Sequence, residues 1–123
     1  MVRVKICGIQ NIETARAVAS LGADMLGFHV ELNHGRNPIT VEKAREIISQ
    51  LPQTCTPVLV TSATNPEKVI QLANKTGVRA VQLHADIEGM QTIKSALPNL
   101  KLYKVVNVSD ESAIEEAKRY EGI

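Results

Sequence analysis

Aromatic residues are almost absent from this chain: no Trp, one Phe and two Tyr in 123 residues. That scarcity removes the stacking platforms on which single-stranded nucleic acids are held. Charge of one sign is missing too. Fourteen Lys and Arg stand against thirteen Asp and Glu, a net +1, so no electrostatic footprint for nucleic acid or an anionic membrane surface exists. No apolar run approaches the roughly 18 residues that cross a bilayer, and the opening "MVRVKIC" has a strand pattern where a leader would have a charged and then an apolar stretch. Only two cysteines occur, Cys7 and Cys55, with neither the density nor the spacing of a disulfide scaffold. Both are expected as free thiols in a reducing, cytoplasmic setting. His29 and His34 have no partner at metal-ligand spacing, so neither a metal nor a cofactor is expected.

What is present is a rhythm. Apolar runs at about Arg3–Cys7, Met25–Val30, Pro57–Thr61, Ala80–His84 and Leu100–Val106 alternate with stretches of helical period. The helices carry their own punctuation. Asn11, Thr40 and Asn65 stand where N-caps belong, Pro66 takes a first helical position, and Gly22 and Gly77 follow last turns. Pro52 stops the second helix after Leu51. The fourth helix runs from about Ile87 to Leu97, and Ser109-Asp110-Glu111 opens a fifth that reaches Tyr120. Five βα units result, and crossovers of this length force the strands to be parallel. "LGADMLGFH" and "TGVRAVQLH" echo each other, each placing a histidine seven positions after a glycine.

Two α/β architectures accommodate five such units. One is a flavodoxin-like open sheet, the other about five of the eight units of a TIM (β/α)8 barrel. Strand faces separate them. Arg3, Lys5 and Cys7 share one side of the first strand, opposite Val2, Val4 and Ile6, while Gln82 and His84 share one side of the fourth. Both sides of the first strand are expected to be covered by protein. In an open sheet both faces pack on helices and read as apolar. Polar residues recurring near strand C-termini fit a barrel interior better. The expected organisation is therefore a single (βα)5 segment over 1–123, with a binding module on the flavodoxin-like sheet as the alternative. A receiver domain is disfavoured, because Cys7-Gly8 and Thr61-Ser62 stand where its acidic residues would be needed.

The blocks "VKICGIQNIETA", "GADMLGF", "GRNPIT" and "AVQLHAD" follow one another as in phosphoribosylanthranilate isomerase, and the chain resembles the first five units of that family. The resemblance implies a cofactor-free Amadori rearrangement in tryptophan biosynthesis. N-(5-phosphoribosyl)anthranilate would become 1-(2-carboxyphenylamino)-1-deoxyribulose 5-phosphate, so the implied partner is a small phosphosugar substrate, with no nucleic acid and no membrane. It assigns the general base to Cys7 and approach to the anthranilate carboxylate to Arg36; Gln82 and His84 are expected to line the pocket. Lys5 either supports the thiolate and orients ligand or sits in an internal ion pair. His84 has a core position as its alternative, and Cys55 is expected to be inert.

The chain also departs from that family. Ala85 replaces the glycine usual after V-Q-L-H, and "PVLVTSATNPEKV" replaces a valine-glycine-valine third strand, in the manner of an archaeal branch. The family's acid, an aspartate ending a sixth strand, and its phosphate loops after strands seven and eight have no counterpart here. Glu31 and Asp86 are the only candidates for a substitute acid, and Asp86 is better placed to cap a helix. Gly122-Ile123 has the look of a helix end followed by the start of a sixth strand. The chain alone is therefore expected to be inactive and, with unpaired strand edges, prone to self-association.

Overall fold

The computed structural model describes residues 1–33 and 35–123; the His34 expectation falls outside them. Five strands, β1 (Lys5–Cys7), β2 (Met25–His29), β3 (Thr56–Val60), β4 (Ala80–Leu83) and β5 (Lys101–Lys104), alternate with α1 (Ile12–Ser20), α2 (Val41–Ile48), α3 (Pro66–Thr76), α4 (Ile87–Ala96) and α5 (Ser112–Arg119). All pairings are parallel and the sheet order is β1-β2-β3-β4-β5. This sequential order is that of consecutive units in a (β/α)8 barrel. A flavodoxin-like sheet would place β2 outside β1, and that alternative is excluded.

The helices start where side chains satisfy their first N–H groups. Asn11 accepts from Thr14 N, Thr40 from Lys43 N, Asn65 from Glu67 N and Asp86 from Gly89 N. Asp86 is thus a cap, as its position in the sequence indicates. Gly77, at φ +80, ends α3 in the left-handed conformation that glycine adopts without steric cost. The α5 helix begins at Ser112, later than the sequence reading. There the Asp110 carboxylate accepts from the Ser112 hydroxyl and backbone N–H, at 2.5 and 2.8 Å, bonds that hold its pKa below the usual carboxylate value.

Leu26, Phe28, Leu59, Val81 and Leu83 point to the helical side of the sheet and form one core with Ala15, Ile47, Val69, Leu72 and Ile93. The opposite, concave side holds a much smaller apolar group, Val58, Val60 and Ala80, against which Met25 and Leu32 pack. Two layers with a large outer and a small inner core are what a barrel wall requires.

The first strand departs from expectation. It spans three residues rather than five, and its outer side is open: Val4 is 45% and Ile6 38% exposed. The reason is topological, since β1 and β5 each have a neighbour on one side only. Other strand ends shift by one or two residues, which is ordinary where a ladder frays. Among the described residues, Phe28 is the largest fully buried side chain. Phe28→Ala is expected to lower the unfolding free energy by about 3–5 kcal/mol, or to unfold the chain outright, as read from a urea titration.

Candidate active site

Register decides which side chains share the concave face. Lys5 pairs with Met25, Cys7 with Gly27, His29 with Val60, and Val60 with Gln82, which in turn pairs with Tyr103. Paired residues in adjacent parallel strands point to the same side. Lys5, Cys7, His29, Gln82 and Tyr103 therefore face one space.

Lys5 joins the two ends of this constellation. Its Nζ lies 3.1 Å from the Cys7 sulfur and 2.5 Å from Gln82 Oε1. Strands β1 and β4 are three spacings apart, about 14 Å on a flat sheet, so this bridge spans the hollow of a curved one. Neither partner of Lys5 Nζ is a carboxylate, and Lys5 is in none of the salt bridges among the described residues. Cys7 is an exposed residue. Beside Lys5 a cavity of about 380 Å³ is lined by Met25, Gln82, Tyr103, Lys104, Val105 and Val106. That volume is in the range of small-molecule sites. Cys7 is outside the lining itself and connects to it through the lysine.

Arg36 is brought to the same end of the sheet by a loop with several ties. His29 Nδ1 donates to the Arg36 carbonyl, Ile39 N bonds the His29 carbonyl at 2.9 Å, and Gln10 Nε2 bonds the Pro38 carbonyl at 3.1 Å. His29 was read from the sequence only as a non-ligand of metals; the structure makes it the peg for the arginine-bearing loop. Its position before a Gly-containing loop carries no signal from which this role was readable. Arg36 is an exposed residue, and a guanidinium suits a planar carboxylate by shape.

His84 is exposed just beyond β4, so the core-histidine reading does not hold; its carbonyl accepts from Lys104 Nζ at 3.2 Å. The two acidic candidates are occupied elsewhere. Asp86 caps α4, and Glu31 pairs with Lys68 at 3.3 Å. Cys55 is buried beneath the sheet, where burial raises its pKa against a lowering influence from Arg79.

The two thiols are therefore expected to differ. At neutral pH, iodoacetamide should modify Cys7 at least about tenfold faster than Cys55, because reaction requires an accessible thiolate. Lys5→Met should narrow that gap. Peptide mass spectrometry at timed intervals checks both statements, and equal rates for the two cysteines would contradict the arrangement.

Comparison with known proteins identifies the family. A family model for N-(5'-phosphoribosyl)anthranilate (PRA) isomerase matches residues 4–123. The N-(5'-phosphoribosyl)anthranilate isomerase of Methanocella arvoryzae is 37% identical, with 100% of this chain and 59% of that protein covered. The Thermotoga neapolitana isomerase is 38% identical, covering 98% of this chain and 58% of the relative. Among solved structures, phosphoribosyl anthranilate isomerase from Thermotoga maritima superposes with a TM-score of 0.87 at 38% identity, over 98% of this chain and 58% of that one. Another isomerase structure, in complex with reduced 1-(o-carboxyphenylamino)-1-deoxyribulose 5-phosphate, also gives 0.87, over 98% of this chain and 61% of that one. The chain thus spans somewhat under two thirds of the length of these relatives. With its sequential parallel sheet and its match from residue 4 onward, the chain belongs to the phosphoribosylanthranilate isomerase family.

Proposed function

We propose that this (βα)5 segment carries the proton-abstracting half of a phosphoribosylanthranilate isomerase site. The observation that carries this reading is the exposed Cys7, its sulfur held 3.1 Å from Lys5 Nζ on the concave face of the sheet. In the Amadori rearrangement an acid opens the ribose ring to a Schiff base, and a base then takes the C2′ proton so that an enolamine forms. Cys7 is the base in this scheme. Lys5 lies where it offsets negative charge on the sulfur, and Gln82 holds Lys5 in place. Arg36 accepts the anthranilate carboxylate, while Gln82 and His84 border the bound substrate. Product forms when the enolamine ketonises, a step that consumes no cofactor.

Neither Glu31 nor Asp86 is free to open the ring, since one is paired with Lys68 and the other caps α4. Both carboxyl candidates among the described residues are thus engaged elsewhere, and we expect no turnover from the five units alone. The whole gene product should isomerise N-(5-phosphoribosyl)anthranilate, and Cys7→Ser should slow it by about 10²-fold or more, the usual contribution of a positioned base. Turnover unchanged in that variant would end the assignment of Cys7.

The sheet edges suggest a partner for the isolated chain. Among the described residues β1 and β5 each pair with a strand on one side only, and beside β1 an apolar hollow of about 250 Å³ is lined by Val4, Ile6, Val18, Leu21, Gly22 and Ala23. Open edges of this kind pair with other strands. The 123-residue chain should accordingly self-associate. Light scattering that returned a monomer over a wide concentration range would refute this.

A further inference from the structure

Gly27 is at the middle of β2, between the fully buried Leu26 and Phe28. A glycine inside a strand weakens it, having no side chain to pack and more backbone freedom to lose. Its backbone conformation is ordinary, so no left-handed φ calls for glycine at this position. What calls for it is the neighbour. Gly27 is registered directly opposite Cys7, and a Cβ added to it would lie 2.6 Å from the Cys7 sulfur, 3.3 Å from its Cα and 3.4 Å from its Cβ. The first of these is well inside van der Waals contact.

The same residue also holds the backbone that follows the thiol. The Gly27 carbonyl accepts from Gly8 N at 3.1 Å and from Ile9 N at 3.2 Å, fastening the turn after Cys7 to β2. Gly8 is itself at φ +81, where an added Cβ would come within 2.9 Å of Asn37 Nδ2. The main chain on the C-terminal side of Cys7 is thereby pinned. The sulfur must take up any displacement that a larger residue 27 imposes, and the direction away from Gly27 is governed by the Cys7 rotamer.

We propose that Gly27 is a positioning residue: its missing side chain is the slot that seats the Cys7 sulfur within reach of the Lys5 ammonium. The proposal rests on Cys7 as the proposed base, but its test does not use isomerase activity, so the two readings fail separately. In the 123-residue chain, Gly27→Ala is expected to slow iodoacetamide modification of Cys7 at neutral pH by about tenfold, with Cys55 as internal control. More tellingly, the slowing caused by Lys5→Met in the natural background should vanish in the Gly27→Ala background, because the sulfur has already left the lysine. A purely structural glycine would not remove that dependence.

Thermal unfolding supplies the second arm. Gly27→Ala should lower the melting temperature less when combined with Cys7→Ala, which removes the clashing atom. If the single variant fails to fold and the double variant folds, the direct contact with sulfur is supported. If both fail to fold, the glycine serves backbone packing and the proposal is overturned. Unchanged modification rate and unchanged lysine dependence in a folded Gly27→Ala chain would overturn it equally.

Discussion

The bridge from the Lys5 ammonium to the Cys7 sulfur on one side and the Gln82 amide on the other organises the concave face of this protein. A lysine in a half-buried position needs acceptors for its protons, and a bare apolar surround would be costly. Here the acceptors come from β1 itself and from β4. Meeting the second requires the sheet to curl, so that strands separated by two others approach across a hollow. Curvature, desolvation of the cation and placement of the thiol are consequently one problem with one solution. The small inner group of Val58, Val60 and Ala80 leaves the room that this solution occupies.

Close approach of main chain to side chain does the rest. Gly27 leaves the sulfur room on the concave face, while Gly8 lets the next turn pass against Asn37. Through Asn37 and the His29–Arg36 contact, the turn after β1 and the loop after β2 form a continuous structure. The exposed arginine is therefore supported from beneath although it is on a loop. This is the usual division of labour in parallel α/β folds: the sheet gives rigidity, and the loops at strand C-termini present the chemistry.

Much of this was legible in the residues. Alternating periods identified all five strands and five helices, and caps such as Asn11, Thr40 and Asn65 were readable because a side-chain acceptor before a helix acts locally. The polar face shared by Lys5 and Cys7 was likewise visible, since strand alternation is a two-residue property. Less legible were the exposed outer side of β1 and the retreat of strand ends, both consequences of having no neighbour on one edge. His29 escaped notice as a peg for Arg36, and Gly27 drew no attention at all. Their roles are defined by a residue in another segment, and no local pattern marks such a partner.

Composition and periodicity determined the class of this protein, a run of parallel βα units with polar groups gathered on one strand face. They did so because hydrophobic alternation and helix capping act over a few residues. Which of two sheet orders the units adopt was decided only in three dimensions, by β2 pairing between β1 and β3. The meeting of Lys5 with Gln82, 77 residues away in the chain, was settled at the same level. Such contacts depend on sheet curvature and register, which are collective properties of all five strands.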